Sequence, residues 1–241
     1  CGIAGSIGRE STKFSDKVIE KLSHRGPDSF GKWQSLPNNY PVNLCHTRLN
    51  IIDNTNRGNQ PLISKDQRYI FIFNGEIYNY IELRKELEQK GSCFKTRTDT
   101  EVFMEGLIME GPSFQLKCNG MWAFCLWDNK LNKAILGRDR FGVKPLYYSI
   151  FDDNALIFAS EMKAITPFLN EILPSENIEK HLKNVFDYEY TNYCVINGIK
   201  RILPGNYVIY QDKIFKEYQY WNTLDNINFN KNSYQSQVDE W

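Results

Sequence analysis

Apolar and polar positions along this chain switch repeatedly between a period of two and a period near 3.6. Residues 2–8 form a small-residue strand pattern, and 15–22 a short amphipathic helix pattern with Val18, Ile19 and Leu22 on one face. His24-Arg25-Gly26-Pro27-Asp28 is turn chemistry. Strands are predicted near 30–35, 42–49 and 69–74, the last carrying the β-rich run Tyr69-Ile70-Phe71-Ile72-Phe73. Residues 79–90 read as a helix, with Ile81, Leu83 and Leu87 set among Glu, Arg and Lys, and Gly91 stops the run. A second helix is predicted over about 99–109, introduced by the capping-box pattern Thr98-Asp99-Thr100-Glu101. Four short runs follow at 121–128, 134–138, 146–150 and 156–159, separated by turn residues, and they predict a largely antiparallel sheet. Helical pattern returns around 161–166 and 176–187, and a hairpin is predicted from 207–210 and 214–218 around Gln211-Asp212-Lys213. No internal repeat is visible. Strand runs with helices before and after them predict a layered α+β domain.

Composition narrows the function classes. Of 241 residues, 41% are apolar, enough for a sizeable core, and 29 basic side chains balance 29 acidic ones. A net charge near zero gives no field to hold a phosphate backbone or an anionic lipid surface, so nucleic acid and membrane are not expected partners. The longest apolar run, Met121 to Trp127, is a strand's length rather than a membrane span, and no basic-then-apolar signal segment opens the chain. The six cysteines (1, 45, 93, 118, 125 and 194) form no Cys-x-x-Cys pair, and His46 beside Cys45 has no partner at zinc-ligand spacing. Reduced thiols in a cytoplasmic protein, with no metal site, are the expectation.

Cys1 stands apart. It reads as an engineered end, as the lipid-bearing Cys of a lipoprotein, or as an N-terminal nucleophile. A lipoprotein would continue into a polar tether, whereas Gly2 to Gly8 here is strand-like. The chemistry favours the nucleophile. An α-amine of pKa about 7.7–8.0 beside a thiol of about 8.5 lets one residue supply both nucleophile and base. Other candidates are ambiguous on their own. Asn74-Gly75 is a hairpin-turn signal after a strand, Arg48 ends a strand as a surface ion-pair partner could, and Asp99 suits a helix start.

Five segments in order resolve the ambiguity: Cys1-Gly2-Ile3-Ala4-Gly5, His24-Arg25-Gly26-Pro27-Asp28, His46-Thr47-Arg48-Leu49-Asn50-Ile51-Ile52-Asp53, Asn74-Gly75-Glu76-Ile77-Tyr78-Asn79 and Arg97-Thr98-Asp99-Thr100-Glu101. Together they resemble class II glutamine amidotransferases, the glutaminase domains of the Ntn-hydrolase superfamily. Pro27 and Leu49 favour the glutamine-hydrolysing asparagine synthetase branch over the sugar-phosphate aminotransferases, which tend to have Tyr and Trp there. The segments 138–148 and 158–164 are also similar to that branch. The likeness runs from residue 1 to about 221. Residues 222–241, polar and Asn-rich, read as a linker or the start of a missing synthetase domain.

The resemblance implies a four-layer αββα sandwich of two mainly antiparallel sheets. It implies hydrolysis of L-glutamine to L-glutamate and ammonia through a γ-glutamyl thioester on Cys1. Asn74 and Gly75 would form the oxyanion hole, Arg48 would clamp the substrate α-carboxylate, and Glu76, Asp99 and the segment Leu49, Asn50, Ile51 and Ile52 would surround its ammonium and amide. Asn50 departs from the family's frequent Ser. The loop from His24 to Asp28 would cover the site, with no proton transfer assigned to His24 or His46. No cofactor is implied for this domain. ATP and Mg would serve only a C-terminal synthetase domain, because the Ser-Gly-Gly-x-Asp type of phosphate loop is absent and the chain has no Gly-Gly dipeptide. A homo-oligomer is compatible with the sequence. Alternatives are an amidotransferase whose acceptor is another carboxylate, on a sugar acid or a peptide, and a non-catalytic Ntn-fold regulatory module.

Overall fold

The computed structural model describes residues 1–9, 13–36, 39–49, 58–176, 178–183, 191–226 and 235–236. One six-stranded sheet contains β1 (Gly2–Ile7), β2 (Ser29–Gln34), β3 (Val42–Arg48), β8 (Tyr147–Ile150), β9 (Leu156–Ala159) and β10 (Lys200–Arg201), in the order β10-β8-β9-β1-β3-β2. The other contains β4 (Leu62–Ile63), β5 (Tyr69–Ile77), β6 (Gly120–Asp128), β7 (Lys133–Arg138), β11 (Asn206–Gln211) and β12 (Ile214–Gln219), in the order β12-β11-β7-β6-β5-β4. Every ladder between these strands is antiparallel.

Side-chain parity turns the two sheets into four layers. Successive strand residues face opposite ways, so each strand can bury two apolar rows. In β5, Ile70 and Ile72 face the other sheet with Ile3, Ile7, Val42, Leu44 and Phe158, forming the middle core. Phe71 and Phe73 face outward against α2 (Tyr80–Gln89) and α3 (Asp99–Glu110), where Leu83, Leu87, Val102 and Phe103 meet them. On the far side of the first sheet, Ala4, Cys45, Ile157 and Ala159 pack on Phe14, Val18 and Leu22 of α1 (Phe14–Leu22). Helix, sheet, sheet and helix are thus separated by three apolar cores, which is the αββα sandwich.

Several elements differ from the sequence expectation. Asn74-Gly75 is not a hairpin turn: both residues lie inside β5, paired with Ala123 and Trp122 of β6, and the ladder runs on to Ile77–Gly120. The 161–166 segment forms two short 3₁₀ turns, Met162–Ala164 and Thr166–Phe168, because Pro167 lacks the N–H that a continuing helix needs. β4 and β10, two residues each, are too short to leave a periodic signature. The described part of the 176–187 helix is α4 (Ile178–Lys183), and of 222–241 a 3₁₀ turn at Thr223–Asn226 plus residues 235–236.

Candidate active site

The parity that builds the middle core also assembles the site. Ile3 and Ile7 face inward from β1, so Cys1, two residues before Ile3, lies in the same row. Val42 and Leu44 put His46 and Arg48 on the inner face of β3, and Ile70 and Ile72 put Asn74 and Glu76 on the inner face of β5. These rows converge at one end of the sandwich. There Cys1, His46, Arg48, Leu49, Gly75, Glu76 and Asp99 line one cavity, together with Gly58, Gln60, Phe73, Thr98 and Thr100.

The outer edge of β5 supplies backbone groups to that cavity. β4 reaches no further than Leu62, opposite Phe71, and beside Phe73 the Gln60 side chain takes its place, accepting from the Phe73 N–H (2.6 Å) and donating to the Phe73 carbonyl (3.1 Å). Four residues on, the Ile77 N–H donates to Asp99 Oδ2 (2.9 Å). In an antiparallel strand the N–H groups of alternate residues point the same way. The Gly75 N–H, midway between Phe73 and Ile77, is therefore aimed out of the same edge into the cavity. Glycine is required there, since a Cβ would collide with the Met121 carbonyl of β6. Asn74 is buried, and its Nδ2 has no hydrogen-bond partner among the described residues. A buried amide donor without a partner is costly, and such atoms call for a ligand or water to meet them.

Cys1 is held from three sides. Its α-amine donates to the Arg25 carbonyl (2.8 Å), and Arg25 Nε donates back to the Cys1 carbonyl (2.9 Å). The Leu49 N–H donates to Cys1 Sγ at 3.4 Å, and the thiol lies 3.7 Å from the Leu49 carbonyl. Burial, followed by the charges of Arg25 and Lys144, brings the α-amine down from 8.0 to about 6, against the opposing charge of Asp28. At neutral pH it is a free base beside the thiol. Burial moves two buried thiols the opposite way, Cys45 to about 11 and Cys118 to about 12, so both stay protonated and inert.

The remaining side chains frame a polar pocket. Arg48 Nη1 donates to Asn59 Oδ1 (2.7 Å), and Gly58 packs so closely on the guanidinium that a side chain there would displace it. Asp99 opens α3, and its Thr98 N-cap accepts from the Glu101 N–H (3.3 Å). The capping box closes only half-way, because Glu101 turns to the N–H groups of Lys95 and Thr96 instead. Burial holds the Asp99 carboxyl above its usual range, with the Glu76 charge adding to it and the Ile77 N–H opposing. His46 is buried with neither ring nitrogen partnered among the described residues. Burial, then the nearby terminal amine, takes it down to about 3, so it is neutral at pH 7.

The structure therefore brings together Cys1, Arg48, Leu49, Gly75, Glu76 and Asp99 around one cavity, while Asn74, buried next to Gly75 in β5, is not one of the lining residues. Asn50, Ile51 and Ile52 lie outside the described residues. The sequence places Arg25 only in a covering loop, but in the structure it grips Cys1 through two hydrogen bonds. Its sequence signal is no more than its place in the His24–Asp28 segment. Among the described residues no group of three or more His, Cys, Asp or Glu is arranged to hold a metal ion.

The sequence matches the family described as Glutamine amidotransferase domain over residues 1–221. The chain belongs to this family. It is similar to a putative glutamine-hydrolysing asparagine synthetase 2 of Methanocaldococcus jannaschii, at 35% identity over 93% of this chain and 47% of that protein. It is also similar to the glutamine-hydrolysing asparagine synthetase 1 of Bacillus subtilis, at 38% identity over 86% of this chain and 33% of that protein. The amidotransferase chain thus spans less than half the length of these relatives. In fold it is similar to the glutamine phosphoribosylpyrophosphate amidotransferase of B. subtilis, with a TM-score of 0.68, 20% identity, and coverage of 92% of this chain and 49% of that one. No helix among the described residues is long and apolar enough to cross a membrane.

Proposed function

We propose that this glutamine amidotransferase domain hydrolyses L-glutamine at Cys1 and delivers the ammonia to an ATP-dependent synthetase domain that makes asparagine. The observation that carries the reading is the edge-directed Gly75 N–H lining one cavity with a thiol whose own amine is a base; the partnerless Asn74 Nδ2, on the preceding residue of β5, supplies the second donor.

The neutral α-amine takes the Sγ proton, and the thiolate attacks the side-chain carboxamide carbon of glutamine. The carbonyl oxygen becomes an oxyanion, held by Asn74 Nδ2 and the Gly75 N–H. The amine returns its proton to the leaving nitrogen, which departs as ammonia and leaves a γ-glutamyl thioester. Water then adds to the thioester, giving its proton to the amine. Collapse releases glutamate and regenerates the Cys1 thiol. Arg48, oriented by Asn59, receives the α-carboxylate as a planar fork. Asp99 and Glu76 receive the α-ammonium, and Leu49 borders the substrate. These steps use neither metal nor cofactor. ATP and Mg belong to the synthetase step, for which this chain carries no phosphate loop. The setting is cytoplasmic. The similarity to asparagine synthetases favours aspartate over a sugar acid or a peptide as the ammonia acceptor.

The test is glutamate release from L-glutamine by the 241-residue chain and by Cys1→Ala. Turnover that disappears in the variant supports the reading. Turnover that survives in Cys1→Ala removes Cys1 from the chemistry. A glutamine-mimicking electrophile should label Cys1 in the wild-type chain.

A further inference from the structure

An N-terminal nucleophile poses a mechanical problem. It is joined to the fold through one peptide bond, and chain ends fray unless something ties them down. On one side β3 holds the terminus, with Gly2 opposite Thr47. On the other side the ladder with β9 begins only at Ala4–Ala159. Beyond it, the two residues after β9 continue the grip by other means. The Ser160 N–H donates to the Ile3 carbonyl (2.9 Å), and Ser160 Oγ accepts from the Ile3 N–H (3.0 Å). Glu161 then reaches the terminus through Arg25: its Oε1 accepts from Arg25 Nη1 (2.9 Å), while Arg25 Nε and the Arg25 carbonyl hold Cys1 at both of its backbone groups.

We propose that Glu161 is a positioning residue for the nucleophile: it fixes the Arg25 guanidinium, and Arg25 in turn fixes the carbonyl and α-amine of Cys1. The inference rests on the reading of Cys1 as nucleophile given above. Glu161 is not one of the residues lining the cavity, and the hydrogen bonds that link it to Cys1 run through Arg25. Its own geometry is secured by His24 Nε2 at 2.9 Å from Oε1 and by Lys163 Nζ at 3.1 Å from Oε2. Partial burial works against its charge, but Arg25, His24 and Lys163 outweigh this and hold its carboxyl down to about 2. The clamp is therefore charged throughout the range in which a thiol enzyme works. His24 and Lys163 are each about half exposed and stabilise the carboxylate from its solvent side.

The test compares wild type, Glu161→Ala and Glu161→Gln in the 241-residue chain. It reads kcat, KM and their pH profiles, with alkylation of Cys1 by iodoacetamide followed on the N-terminal peptide by mass spectrometry across the same pH range. Glu161→Ala should lower kcat by about 10- to 100-fold, the cost of a small misplacement of a reacting group. KM for glutamine should change by less than about threefold, since no substrate contact is lost. With the clamp released, the α-amine gains water and loses the fixed nearness of Arg25, so the acid limb should move up from about 6 towards 8. Glu161→Gln, which keeps an oxygen for Arg25, should fall between the two. A limb that moves down instead would mean that Glu161 acts only as a nearby negative charge. A lowered melting temperature with kcat and both pH profiles unchanged would mean that it is purely structural. Either result overturns the proposal. If the wild-type chain fails to hydrolyse glutamine, the functional reading falls, while the alkylation profiles still decide the role of Glu161.

Discussion

In the proposed mechanism base and nucleophile share one residue, Cys1, so the ionisation of its amine would set the working range. Because burial and the charges of Arg25 and Lys144 bring that amine to about 6, kcat/KM for glutamine should rise with pH through about 6 and level off above it. The sign follows from the role: the amine must be neutral to accept the thiol proton, and a lowered pKa extends the neutral form downwards in pH. A limb near 8, measured as initial rates of glutamate formation, would mean that the amine is solvated as in a free peptide. Asn74 makes a separate prediction. Its Nδ2 has no partner to lose among the described residues, so Asn74→Ala should leave the melting temperature nearly unchanged. The same variant should lower kcat by about 10²- to 10³-fold, the cost of one missing oxyanion donor. A drop in melting temperature with activity intact would instead make Asn74 a packing residue.

At the scale of the element, β5 is the part that does most to shape the site. Its outer edge is satisfied at Phe73 by Gln60 and at Ile77 by Asp99, leaving Gly75 to face the cavity between them. Gly75→Ala would set a Cβ against the Met121 carbonyl and force β5 away from β6. The expected destabilisation is about 1–3 kcal/mol, as for other overpacked positions. Activity should fall further than that figure alone implies, because the displaced strand carries both donors; thermal melts alongside glutaminase assays would separate the two effects. The Asn74-Gly75 dipeptide also marks a limit of local reading. It has the chemistry of a tight turn, yet β6 supplies partners on through Ile77, and a ladder with a distant strand outweighs a local preference. Thr98 is different: its cap on α3 was legible because capping is local, spanning three residues of one chain segment.

For the whole molecule, the middle core holds the two sheets at the spacing on which the site depends. Phe158 of β9 is fully buried there, its ring lying where Gly5 of β1 has no side chain. Phe158→Ala should cost about 3–5 kcal/mol and lower the midpoint of a denaturant melt accordingly. The same variant should weaken glutamine hydrolysis, since Cys1 and Asn74 come from opposite sheets; a melt unchanged from wild type would contradict this account of the core. The sequence by itself determined the two hydrophobic periods, hence the layered α+β class. It also determined the residue parity that sets Cys1, Arg48 and Asn74 each on one face of its strand, and the paired amine and thiol of Cys1. These are properties of covalent structure and of short stretches of chain. The tertiary structure decided which faces meet, which way the Gly75 N–H points, and that Arg25 and Glu161, 136 positions apart, form one clamp on the terminus. Hydrogen bonds of that kind depend on which distant strands pair and where they end, and no local pattern of residues encodes that choice.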